Sequence, residues 1–134
     1  VVVVALGAAG ALVVARRGDG ARVEAEVALS NAGLDPAGAA GSGVAELTVR
    51  DGRYELVVRL SNVAAPGDAY LELWLIDRSV EGLVSLGPYH GDGGYPLPAS
   101  VAPGAFPVVD VSIEPVDGAP THSGRSVLRG VLEL

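Results

Sequence analysis

Residues 44–60 read VAELTVR-DG-RYELVVRL, two alternating runs joined by Asp51-Gly52. A two-residue Asp-Gly link between such runs calls for a type I′ turn, because both turn positions need positive φ, and that turn sets the hairpin register. Arg50 then faces Arg53, Val49 faces Tyr54, Leu47 faces Leu56 and Ala45 faces Val58. The apolar residues Ala45, Leu47, Val49, Tyr54, Leu56, Val58 and Leu60 share one face. Glu46, Thr48, Arg50, Arg53, Glu55 and Arg59 share the other, with Val57 the one apolar residue among them. A slip by one residue would carry the charged set into the core, so the pairing is strongly specified. An antiparallel sheet with one apolar face needs a second layer to cover it.

The rest of the chain repeats the pattern. Arg22 to Leu29 alternates, with Val23, Ala25, Val27 and Leu29 expected inward. Residues 30–42 form a loop rich in Gly and Ala, and residues 31–43, like residues 16–21, lack the pattern for burial. Tyr70 to Ile76 is apolar on both sides of the alternation except at Glu72, which suits a central strand covered on both faces. Leu83 to Leu86 is a short strand ended by Gly87-Pro88, and residues 91–94 read as turn material. Residues 108–113 and 126–134 are the last two strands, separated by a loop in which Pro115 and Pro120 forbid ladder pairing. About seven short strands with frequent turn signals and no helical stripe predict an all-β fold, an immunoglobulin-like β-sandwich over residues 18–134.

Residues 1–15 carry no charge and no strongly polar side chain, and Arg16-Arg17 follow. A helix crossing a bilayer needs about 20 such residues, and 15 cover roughly 22 Å of a core about 30 Å thick. Residues 1–17 are therefore read as the C-terminal part of a transmembrane helix whose start lies upstream. A signal-peptide core and a buried strand or helix are the alternatives. The pattern Gly7, Ala8, Ala9, Gly10 suits close helix packing in lipid better than a strand.

The 134 residues carry 9 Arg, no Lys, and 16 acidic side chains, for a net charge of −7. That balance argues against nucleic acid as a partner, because phosphate binding draws on a surplus of cations. A chain that is 49% hydrophobic can bury a core and is not disordered. With no Cys there is no disulfide, thiolate metal site or Cys nucleophile.

No catalytic, metal or cofactor site is assigned. His90 with Asp92, or Glu114, Asp117 and His122, lack the spacing of a zinc helix or a calcium loop. Ser123, His122 and Asp110 offer the residue types of acyl-transfer chemistry, but no nucleophile elbow is present, and adjacent residues on a loop rarely face each other. Glu72, among apolar neighbours, is the one carboxylate in the setting that glycoside chemistry uses, and is read instead as pairing with an Arg or lying at a sheet edge. Trp74 and Tyr70 are read as core aromatics, with a ligand groove as the alternative.

Three stretches form a set: Tyr70-Leu71-Glu72-Leu73-Trp74-Leu75-Ile76-Asp77, then Ser85-Leu86-Gly87, then Val109 to Pro115 continuing through Asp117-Gly118-Ala119-Pro120-Thr121-His122-Ser123-Gly124. In order and spacing this resembles the C-terminal, extracytoplasmic domain of the anti-sigma-K factor family, although Asp117-Gly118 stands where the family often has Gly-Gly. The resemblance implies a single-pass protein of the cell membrane with its β domain outside. It implies a cytoplasmic N-terminal domain, absent from this chain, that holds an extracytoplasmic-function sigma factor. It also implies release of that factor by site-1-type and intramembrane proteases. The motif residues are expected to be structural and the chain non-enzymatic, with the first cut in residues 16–21. The alternative is an envelope-anchored ligand- or carbohydrate-binding β-sandwich.

Overall fold

A computed structural model of the chain describes residues 20–134. The expected membrane segment, residues 1–17, lies outside the described residues. Among the described residues no helix is long and apolar enough to cross a membrane.

Eight strands make up the described fold: β1 (Arg22–Leu29), β2 (Ser42–Arg50), β3 (Arg53–Ser61), β4 (Tyr70–Ile76), β5 (Leu83–Pro88), β6 (Gly93–Pro96), β7 (Val108–Glu114) and β8 (Ser126–Val131). They form two antiparallel four-stranded sheets, ordered β1-β2-β3-β6 and β5-β4-β7-β8. The inner faces share one core, to which Leu47, Leu56 and Val58 contribute from the first sheet and Leu73, Val111 and Leu128 from the second. The sheets are also joined at one edge, where Ser30 exchanges two backbone hydrogen bonds of 3.1 and 2.9 Å with Arg129.

The β2–β3 hairpin has the register that the Asp51-Gly52 turn dictates, from Arg50 opposite Arg53 to Ala45 opposite Val58. Asp51 and Gly52 take φ of 49° and 74°. Its outer face is less open than alternation suggests, since Glu46, Thr48 and Val57 are buried. These residues sit mid-sheet, and Arg59 reaches across to donate to Glu46 at 2.8 Å. Burial, followed by the neighbouring Glu46, raises the pKa of Glu26 on the same face.

Four expectations are corrected. Gly93 and Gly94, expected in a turn over residues 91–94, instead open strand β6, the eighth strand, paired with β3. Its signal was hidden because Gly94 leaves the room that the Glu55 carboxylate fills, with a Cβ there only 2.3 Å from Oε1. A bulge between Val23 and Ala25 sets Val23 opposite Thr48, so Val23 is buried but outside the main core. The last strand stops at Val131, because the Leu132 N–H turns away to Pro107 O at 2.8 Å. The loop after β1 is docked, not loose: the Asn31 amide donates to Asp35 O and Val127 O at 2.8 and 2.7 Å. Gly38 packs there against Val127, and Ala21 in the segment before β1 is likewise buried.

The connections alternate between the two ends of the sandwich. Residues 20–22, the Asp51-Gly52 turn, the turn after β4, the loop after β6 and the C-terminus lie at one end. The loops after β1, β3, β5 and β7 lie at the other.

Candidate functional site

The polar chemistry of the chain gathers on the outer face of the second sheet. β7 turns Val109, Val111 and Ile113 into the core, so Asp110, Ser112 and Glu114 point outward. Cross-strand pairing sets Trp74 opposite Asp110 and Glu72 opposite Ser112, while Arg129 on β8 faces Asp110 from the other side. Residues 115–125 form the expected loop and fold back over this face.

Asp110 is 0% exposed and is the hub. Its Oδ1 accepts from Arg129 Nε at 2.8 Å. Its Oδ2 accepts from Ser126 Oγ at 2.8 Å and lies 2.9 Å from His122 Nε2. His122 Nδ1 accepts the Gly124 N–H at 2.9 Å, so the ring proton sits on Nε2 and is donated to Asp110. Glu114, buried beside it, accepts the Ser123 N–H at 2.9 and 3.2 Å and the Ser112 hydroxyl. Ser112 Oγ in turn accepts the Trp74 indole N–H at 2.9 Å. Trp74 is 4% exposed, with the His122 ring 5.0 Å away at a 52° tilt. Among the described residues every buried side-chain nitrogen and oxygen has a partner.

Asp110 and His122 do meet, but the hydroxyl that joins them belongs to Ser126, which the sequence reading passed over. Ser123 instead donates its hydroxyl to Ile113 O at 2.7 Å. In this arrangement the imidazole is not set as a general base. A general base needs an imidazole lone pair facing the nucleophile, whereas here Nε2 is protonated toward Asp110 and the Ser126 hydroxyl also gives its proton to that carboxylate. Arg129 was missed as well. Its signal was present, since an Asp at an outward position of one strand and an Arg in the next antiparallel strand stand ready to pair.

The other candidates do not converge. Among the described residues Glu72 pairs with no Arg, and it does not lie at an edge: it sits on interior strand β4 and accepts the Ser85 hydroxyl. Burial, then the charge of Glu72 and a hydrogen bond to it, raises the pKa of Tyr70. Trp74 is too enclosed to wall a ligand groove. His90 packs on Tyr95 at 4.7 Å, while Asp92 accepts the Leu60 N–H at 3.0 Å and the Tyr89 hydroxyl. Asp117 is turned away from Glu114 and His122, capping the Ala119 N–H at 2.9 Å. Among the described residues no three His, Asp or Glu side chains group as a metal would need.

The residues in contact here are those of the sequence set noted above: Trp74, Glu114, His122 and Ser123, with Gly118 and Gly124 at φ of 75° and 83° in the loop that joins them. These members of the set form one latch that holds residues 115–125 on the sheet, while Ser85 from its second stretch bonds Glu72 instead. Searches of curated proteins and of solved structures gave no match. The model of the family described as anti-sigma-K factor rskA, C-terminal, matches residues 1–126. The chain belongs to that family of anti-sigma factor C-terminal domains.

Proposed function

We propose that this chain is the extracytoplasmic part of a single-pass membrane anti-sigma factor and has no enzymatic activity of its own. The observation that carries this reading is the family match, which runs from the uncharged apolar start through the β-sheet domain as far as the first residue of β8. Residues 1–17 belong to the membrane span, and the sigma factor is held by a cytoplasmic domain upstream of Val1. Regulated proteolysis frees the sigma factor, with the first cut in residues 16–21, between span and β1. The saturated Asp110–His122–Ser126 cluster favours a structural over a catalytic role, and the enclosure of Trp74 disfavours the groove that a carbohydrate-binding domain would use.

We further infer an immunoglobulin-like fold. The pairs β3–β6, β4–β7 and β7–β8 correspond to B–E, C–F and F–G of the immunoglobulin arrangement, with β1 an addition at the edge.

The test is co-purification. The protein with its upstream region, captured from solubilised membranes, should retain a sigma factor, and removal of the upstream region should lose it. Capture of the intact protein from membranes with no sigma factor attached would overturn the reading.

A further inference from the structure

Val80 adopts φ of 61°, a left-handed conformation that a β-branched residue rarely takes, and its side chain is 52% exposed. The turn around it is tightly built. Asp77 Oδ1 accepts the Glu81 N–H at 3.0 Å and Oδ2 accepts the Gly82 N–H at 2.9 Å. The fold thus keeps a valine strained and facing water where Gly or Asn would sit without strain.

Val80 has company. Among the described residues the exposed large hydrophobic side chains are Val80, Leu83, Val116, Val131 and Leu134. All but Val116 lie at the end of the sandwich where residues 20–22 enter the fold. Leu83 and Val131 cap opposite edges of one row across the second sheet, with Ile76 and Val108 between them. The ends also differ in charge. Residues 20–22, 50–53, 77–82, 97–107 and 131–134 carry four Arg and four acidic residues. Residues 30–41, 62–69, 89–92 and 115–125, at the opposite end, carry four acidic residues and a single Arg.

We propose that the end bearing Val80, Leu83 and Leu134 docks on the surface of the lipid bilayer. The proposal rests on the reading of residues 1–17 as a membrane anchor. An uncharged fifteen-residue run and the pair Arg16-Arg17 lead into the domain at that end, so a span in lipid brings it to the headgroups. The apolar tip carries Arg22, which pairs with Glu24, and Arg50, Arg53 and Arg78, balanced by Asp51, Asp77, Glu81 and Glu133. A charge-balanced apolar tip with long Arg side chains suits the interface, where apolar groups enter the acyl boundary and guanidinium groups reach the phosphates. The acidic opposite end is turned away from anionic lipid. Docking lays the Val80 turn and the segment before β1 against the membrane and leaves the 115–125 latch facing outward.

The chain has no Cys, so single-cysteine variants can each carry one environment-sensitive fluorophore. Val80→Cys, Leu83→Cys and, at the far end, Val116→Cys are placed in the 134-residue chain and reconstituted in phosphatidylethanolamine–phosphatidylglycerol vesicles. All three sites are exposed, so labelling leaves the core intact. Lipid-borne quenchers should act several-fold more strongly at positions 80 and 83 than at 116, and aqueous iodide in the reverse order. Equal quenching at the three positions in a chain that stays with the vesicles through alkaline carbonate overturns docking and leaves the anchor reading standing. The same wash is applied to the chain extended at its N-terminus by six leucines, which completes a span of about 20 residues, and loss of that extended chain overturns both.

Discussion

Replacing Asp110 with Ala should release residues 115–125 from the outer face while leaving the core packed. The carboxylate is 0% exposed and takes bonds from His122, Ser126 and Arg129. Removing one partner of a buried ion pair costs about 3–5 kcal/mol when the remaining charge stays dry. The Arg129 side chain is 31% exposed, so water recovers part of its loss, and the lower figure of about 3 kcal/mol applies. For roughly 115 ordered residues the entropy of unfolding is about 0.24 kcal/mol/K, which makes the fall in Tm about 12 °C. Asp110→Asn, which keeps the volume and can still accept a bond, should cost roughly half as much.

Urea unfolding in mild detergent, followed by the fluorescence of the single tryptophan, reads this directly because Trp74 lies against His122. Amide exchange supplies the local readout. The Ser123 and Gly124 N–H groups, bonded to Glu114 and His122, should exchange faster in the variant than in the parent. Asp117→Asn, on the same loop but exposed, should stay within about 0.5 kcal/mol of the parent. A loss from Asp110→Ala under about 1 kcal/mol, with both amides still protected, would show that the loop is held by something other than this network.

Other outcomes follow from the same geometry. Gly130→Ala places a Cβ 2.6 Å from Ala28 O at the β1–β8 seam and should destabilise by about 1–3 kcal/mol in urea unfolding. For Gly94→Ala the three atoms nearest the new Cβ all belong to the end of the exposed Glu55 side chain, which can swing aside, and the variant should lose under about 1 kcal/mol. Val80→Gly relieves the left-handed strain and should raise stability by roughly 0.5–1 kcal/mol by thermal melting. Burial, followed by a hydrogen bond to Asp92, pushes the Tyr89 phenol up to about 12. The neutral phenol is favoured in the fold, so its contribution is whole below the unfolded value of about 10 and fades as pH rises through about 12. Alkaline unfolding of Tyr89→Phe should be flatter across that window, and its tyrosinate absorbance should lack the late-titrating component.

What the sequence discloses depends on how local the cause is. The β2–β3 hairpin is legible because two turn residues and a period of two decide it. Strand β6 is not, because nothing in Gly-Gly-Tyr-Pro favours a strand by itself. It becomes one when β3 offers an open edge and Tyr95, 2% exposed, anchors it by accepting the His90 N–H at 3.0 Å and donating to Gly91 O at 2.6 Å. The bulge at Val23 and Ala25 is invisible for the same reason, since it resolves a mismatch with β2. In the site, Asp110, His122 and Ser123 are recognisable as polar residues that call for an explanation. Which hydroxyl reaches Asp110 is a matter of how a loop of eleven residues folds back, and that depends on bonds between strands far apart in sequence.

Those bonds also bear on whether the Ser, His and Asp that converge here can act as a hydrolase. For His122 to take a proton from a hydroxyl, Nε2 would have to lose its own and turn from Asp110. The Gly124 N–H, fixed on Nδ1 at 2.9 Å by a glycine at φ of 83°, forbids the tautomer that would allow it. Freeing the imidazole therefore means opening the turn at Gly124, and opening that turn detaches the loop. A latched loop and a competent base are mutually exclusive states of the same residues. Gly124→Ala separates them: a Cβ at positive φ strains the turn, and the expected result is faster exchange at Ser123 and lower stability with no hydrolysis of activated esters. Esterase activity that rises as the turn loosens, and disappears with Ser126→Ala, would show that the latch conceals a working site.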